Sequence, residues 1–144
     1  TGIAGGQFLD LSYEKRKIGA SKIINMQKKK TGKLFNFCLY AVGVLANKNN
    51  KDKFFLSSLG EDIGLLFQFA DDFLDIMGSK KLVGKPIKKD NKKGKSTLVS
   101  LMGYKKAHNY ADNLKKKILL KLRKHGKKAK DLTDTIEFIL NRNF

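Results

Sequence analysis

Apolar positions recur along this chain at the three- and four-residue spacing of helices, and the interruptions in that rhythm mark the connections. Gly2 to Leu11 reads as the end of a helix, with Gly5 and Gly6 admitting a close neighbour and Gln7 and Asp10 on one face. After a polar connector, Ile23 to Ala46 reads as one long helix. Its second half, from Leu34, is apolar on most sides and is expected to be buried, with Cys38 as a packed core thiol. Lys28 and Lys29 are expected on a solvated face, whereas Lys30 and Thr31 sit where the polar end meets the core. Asn47 to Lys51 is a polar break. Phe54 to Met77 predicts the next helix; its apolar pattern continues through Gly60 and Gly64, which suggests tight helix packing. Gly78 to Lys95 has no apolar period, holds the sole proline, Pro86, and reads as a loop. A helix resumes at Thr97 with the stripe Leu101, Tyr104, His108, Ala111, Leu114, Ile118 and Leu122, and Gly126 ends it. Asp131 to Arg142 predicts a short closing helix. His108 lies in the stripe and reads as a core or boundary residue; neither it nor His125 is assigned chemistry. No β-alternation or repeat appears, so the expectation is an all-α chain whose residues 1–144 form one domain or a piece of one.

One helix breaks its own pattern. In Leu66-Phe67-Gln68-Phe69-Ala70-Asp71-Asp72-Phe73-Leu74-Asp75-Ile76, three carboxylates stand among leucines and phenylalanines. Burying ionised carboxylates is costly unless a cation compensates them. Asp71 and Asp75 are four apart and share a face, with Gln68 and Gly64 continuing the row. That is a hard-oxygen site of the kind Mg²⁺ uses, where one or two carboxylates are completed by substrate phosphates and water. Alone, the pattern also fits a solvated acidic face. The lysine-rich loop that follows tips the balance, because carboxylates that hold a metal and lysines nearby together neutralise a polyphosphate.

Charge and cysteine use narrow the function further. The formal net charge is +18 over 144 residues, which implies an anionic partner or surface. Only Arg16, Arg123 and Arg142 are arginine, and lysine dominance counts against sequence-specific reading of DNA bases. The single cysteine rules out an intramolecular disulfide and fits a reducing, cytoplasmic setting. No zinc-like Cys/His cluster, secretory signal or membrane-spanning run is evident. The start at Thr1 leads straight into a helix, so the chain is expected to be a piece of a longer protein.

Gly94-Lys95-Ser96-Thr97 invites a nucleotide-binding-loop reading, but Lys89 stands where that motif needs glycine, and a helix rather than a strand precedes it. A different resemblance accounts for the whole order. Gly6-Gln7 with Asp10-Leu11, Lys30-Thr31-Gly32, Phe67-Gln68 with Asp71-Asp72-x-x-Asp75, Gly84-Lys85 with Asp90, and Gly94-Lys95-Ser96-Thr97 follow one another over essentially all of the chain. In this the chain resembles the C-terminal half of a bacterial trans-polyprenyl diphosphate synthase of the short-chain farnesyl or geranylgeranyl type.

The resemblance implies an all-helical bundle of the isoprenoid synthase type, here its C-terminal half, and a homodimeric, Mg²⁺-dependent prenyltransferase, with Mn²⁺ as an alternative metal. It implies that Asp71, Asp72 and Asp75 bind metal bridged to an allylic diphosphate, and that Lys30 and Lys85 contact that diphosphate beside Thr31 and Gln68. Asp90 and Lys95 match loop residues that help close the site, and Gln7 and Asp10 a supporting pair that faces the cavity. The reaction implied is condensation of isopentenyl diphosphate with dimethylallyl or geranyl diphosphate, giving farnesyl diphosphate or a near relative. No protein nucleophile is needed. The family's first aspartate-rich motif and the arginines for isopentenyl diphosphate belong to an N-terminal half, without which the piece is expected to be inactive. Lys88 stands where relatives often carry glycine, and Leu98-Val99 replaces a frequent Tyr-Pro. Two other readings remain open: a non-catalytic helical subunit of the same fold, and a lysine-rich nucleic-acid binder.

Overall fold

The computed structural model describes residues 2–14, 16–83 and 97–141, the backbone alone over 78–83. Every regular element among them is helical: α1 (Gly2–Ser12), α2 (Ala20–Gln27), a π-turn (Lys28–Gly32), α3 (Lys33–Leu45), α4 (Asn50–Val83), α5 (Leu98–Met102), α6 (Tyr104–Arg123), a 3₁₀ turn (Gly126–Ala129) and α7 (Lys130–Asn141). The expected all-α architecture is therefore observed. The long helix anticipated over 23–46 is a single run in direction, but a π-turn interrupts it. Where a loop was anticipated from Gly78, α4 instead carries on to Val83, and the rest of that expectation lies outside the described residues. The helix anticipated from Thr97 is two helices. Gly103 separates them at φ +80°, a left-handed conformation that glycine adopts freely. Thr97 and Ser100 close a reciprocal capping box at the start of α5, with 3.0 and 2.9 Å hydrogen bonds.

The core lies between α4 and α6. Leu59, Ile63, Leu66, Phe69 and Phe73 of α4 are buried with Ala107, Ala111, Leu114, Ile118 and Leu122 of α6, while Ile136 of α7 and Ile23 and Met26 of α2 fill the ends. Each large side chain removed from water here contributes about 2 kcal/mol. Asp62, buried on the same helix, receives Lys121 Nζ at 2.7 Å and Lys117 Nζ at 3.3 Å, which ties α4 to α6 electrostatically. His108 is a boundary residue, its Nδ1 3.1 Å from Asp112 and its ring against Phe73.

Glycines set the closest helix approaches. A Cβ on Gly60 would lie 2.4 Å from the Phe35 carbonyl oxygen, and one on Gly64 would lie 2.7 Å from Gly32 Cα. Both contacts are with backbone, so α4 could not rest on α3 and the π-turn if either carried a side chain. Gly64→Val is accordingly expected to lower the melting temperature by several degrees, an overpacking cost of about 2 kcal/mol. Thermal denaturation followed by circular dichroism measures this; an unchanged melting temperature contradicts the packing account. In α1 only Gly6 has this role: its Cβ would fall 2.1 Å from Lys30 N, whereas Gly5 has nothing within 4 Å.

Three further expectations are corrected. The second half of α3 is not buried: Phe37 is 65% and Leu45 87% exposed, with Leu34, Val42 and Val44 also open. Periodicity reports which residues are apolar, not what covers them, and among the described residues that face stays open. Cys38 is exposed for the same reason. Lys28 and Lys29 are half-buried rather than solvated, drawn inward by the π-turn.

Candidate diphosphate site

Three elements meet where α1, the π-turn and the middle of α4 cross. Because Gly6 lets α1 rest on the backbone of Lys30, the Asp10 carboxylate reaches Lys30 Nζ at 2.6 Å. Gly64 lets α4 rest on Gly32 in the same way, so Thr31 Oγ1 donates to Gln68 Oε1 at 3.1 Å. Gln68 Nε2 in turn donates to Asp72 Oδ1 at 3.2 Å, one turn along α4. The π-turn matters to this arrangement, since an extra residue per turn re-aims side chains relative to a regular helix. It presents Lys30 towards α1 and Thr31 towards α4.

The three aspartates of α4 occupy different environments. Asp72 is 7% exposed, Asp71 is half-buried and Asp75 is exposed. Gln68 therefore supports Asp72, not the Asp71–Asp75 row that residue spacing suggested. Burial raises the Asp72 carboxyl from its ordinary value to about 6; the Gln68 hydrogen bond works against this, and the negative charges of Asp75, Asp71 and Asp10 add to it. A raised folded-state value means that the protonated acid stabilises the fold below about pH 4 and that this contribution is lost as pH climbs through 6. Asp72→Asn should thus raise stability at pH 8 by about 2 kcal/mol in metal-free buffer and leave it unchanged at pH 4. Denaturant melts at the two pH values test this, and equal effects at both contradict it.

Of the residues singled out in the sequence, Asp10, Lys30, Thr31, Gln68 and Asp72 come together, with Asp71 and Asp75 adjoining on α4. Gln7 is exposed on α1. Lys85, Asp90 and Lys95 lie outside the described residues. Among the described residues no three carboxylate, thiol or imidazole groups converge tightly enough to enclose a metal by themselves. That donor set fits Mg²⁺, which keeps several waters and takes phosphate oxygens alongside one or two carboxylates. Burial lifts Asp72 first and the repulsion of Asp75, Asp71 and Asp10 adds to it; that added charge imbalance is what such a cation relieves. No described helix is long and apolar enough to cross a membrane.

The polyprenyl synthetase family model matches residues 1–138. The farnesyl diphosphate synthase of Bacillus subtilis is 34% identical over 111 residues, which is 77% of this chain and 38% of that protein. An apo FPP/GFPP synthase from Zymomonas mobilis superposes with a TM-score of 0.80 at 32% identity, covering 96% of this chain and 45% of that one. A Helicobacter pylori geranyltransferase, solved with magnesium and isoprenyl diphosphate, superposes at 0.75 with 28% identity, covering 97% and 46%. The chain spans less than half the length of each.

Proposed function

Since this chain belongs to the polyprenyl synthetase family, we propose that it is the C-terminal half of a short-chain trans-prenyl diphosphate synthase and carries that enzyme's diphosphate-ionising end. The observation that supports this most is the meeting of Lys30 and Thr31 with Gln68 and Asp72 across two glycine-mediated crossings. It sets a cation and a hydroxyl beside a carboxylate ladder, which is what a metal-bound diphosphate needs.

The residues divide the work. Asp71 and Asp75 offer accessible oxygens for Mg²⁺, and Asp72 backs them from the interior, held by Gln68. Bound there, Mg²⁺ supplies positive charge to a departing pyrophosphate. Lys30 adds an ammonium on the π-turn side, oriented by Asp10, and Lys85 and Lys95, which lie outside the described residues, are assigned the same role by their place in the motif order. The allylic C–O bond breaks, pyrophosphate leaves with its electron pair, and the isopentenyl double bond attacks the carbocation. Loss of a proton to the released pyrophosphate completes the new C–C bond. Water must be excluded while the cation exists, and this chain alone cannot enclose it: α1 and α3 expose Phe8, Leu11, Phe37 and Leu45. Those faces are where the N-terminal half packs, with its own aspartate-rich motif and isopentenyl diphosphate site. The complete enzyme is a cytoplasmic homodimer making farnesyl diphosphate, and the 144-residue chain by itself turns over no substrate.

Calorimetric titration with pyrophosphate, with and without Mg²⁺, tests the reading. Binding should require the metal and weaken at least about tenfold in Asp71→Ala and in Lys85→Ala. Metal-independent binding that ignores both substitutions overturns it.

A further inference from the structure

The positive charge of this chain is unevenly placed. Between residues 104 and 130 stand eleven lysines and arginines against one acidic residue, Asp112, whereas between 2 and 77 there are eleven against eight. A compositional background would spread evenly, so the excess falls in two stretches: the lysine-rich segment between residues 78 and 95, which the site reading already uses, and α6 with the turn after it. The diphosphate site, built on α1, the π-turn and α4, makes no use of the second.

The inner face of α6 is the buried stripe from Ala107 to Leu122. Its opposite ridge of Asn109, Asn113, Lys116, Leu120 and Arg123 is exposed. Lys117 and Lys121 are tied to Asp62, Lys115 lies 3.9 Å from Asp112, Lys130 pairs with Asp134, and Lys124 sits 4.4 Å above the Phe55 ring. That leaves Lys105, Lys106, Lys116, Arg123, Lys127 and Lys128 with no carboxylate partner among the described residues. Amid these cations Leu120 is 68% exposed. It forms one wall of a groove of about 480 Å³ between α6 and α7, which Leu119 and Leu122 also line and which Glu137 borders on the α7 side.

We propose that the outer face of α6 docks this protein onto an anionic lipid bilayer, with the cations at headgroup depth and Leu120 entering the interface. Clustered lysines are drawn to an anionic leaflet, and each adds to the attraction. Lysine stems lie along apolar surface while their ammonium groups stay with phosphate and water, so they flank an inserted leucine at no cost in charge burial. A nucleic acid is a poorer match. Ten of the eleven cations are lysine, without the bidentate fork of arginine. Tyr104 and Tyr110 of α6, though partly exposed, pack on Phe73 and Phe69, and the ridge of Asn109, Asn113, Lys116, Leu120 and Arg123 carries no aromatic residue for base stacking.

The chain contains no tryptophan, so one introduced residue reports its own surroundings. Leu120→Trp fluorescence should shift to the blue on adding vesicles of phosphatidylcholine with phosphatidylglycerol, and should not shift with phosphatidylcholine alone. Vesicle sedimentation should show that Lys116→Glu with Arg123→Glu lowers partitioning at least about tenfold. Lys17→Glu with Lys22→Glu, an equal change of charge on the exposed side of another segment, should lower it far less. Equal losses in the two pairs overturn the proposal by reducing it to net charge. A shift at Phe37→Trp in place of Leu120→Trp overturns it in favour of the open α3 face. The same shift with duplex DNA at matched phosphate overturns it in favour of a nucleic acid. None of these measurements requires Mg²⁺ or turnover, so their failure leaves the proposed enzymatic role standing.

Discussion

Asp71→Ala, introduced into the complete synthase, should lower kcat/KM by about three orders of magnitude, the loss of roughly 4 kcal/mol of transition-state stabilisation. Of the three carboxylates on α4, Asp72 is buried and engaged by Gln68, whereas Asp71 is half-exposed and has Asp75 one turn further on the same face. Asp71 is thus placed to share a divalent ion with a diphosphate while its neighbours shape the local charge. Removing it takes away a ligand whose contribution grows as the leaving group acquires charge, so kcat should fall with kcat/KM. Raising Mg²⁺ should recover only part of the loss, because added metal refills the site without restoring its position. Steady-state kinetics across a Mg²⁺ series decides the matter. Turnover close to wild type would remove the aspartates of α4 from the mechanism.

Much of this arrangement was legible in the residues, and the parts that were not have physical causes. Helix positions followed from apolar spacing because the stripe of α6 faces a core contained in this chain. The same rule misplaced the second half of α3, since an apolar face looks alike whether covered or open. Gly60 and Gly64 were readable as contact points because the apolar pattern ran through them unbroken. Their partners, Phe35 and Gly32, were not, since a contact across two helices leaves no trace in local spacing. The π-turn escaped for a related reason: Lys-Lys-Lys-Thr-Gly carries no residue that demands an extra residue per turn, and α1 and α4 pack against that segment from either side. Gly6 was the available clue, because a helix that rests on the Lys30 backbone needs a residue without a side chain there. Regular helical geometry set Gln68 with Asp71 and Asp75. The observed bond to Asp72 is an equally ordinary four-residue pair, chosen by which aspartate faces the interior.

Lys30→Ala should show that the meeting of α1 with the π-turn serves both stability and catalysis, and that the two can be separated. In the complete synthase kcat/KM should fall by about two orders of magnitude, the scale for removing one charged donor aimed at a developing anion. The fold should also weaken, because the Asp10 side chain, only 11% exposed, loses the ammonium 2.6 Å away that offset its desolvation. Adding Asp10→Asn to Lys30→Ala removes the carboxylate that lost its ammonium and should recover most of the lost melting temperature while leaving turnover low. Asp10→Asn alone should keep far more activity than Lys30→Ala, since Lys30 keeps its charge and loses only its guide. A purely structural pair would behave otherwise: the double variant would regain activity along with stability. Thermal melts and initial rates on the four proteins form a closed cycle from which the coupling between the two residues is read directly. Recovery of turnover in the double variant would mean that Lys30 serves the helix crossing and not the diphosphate.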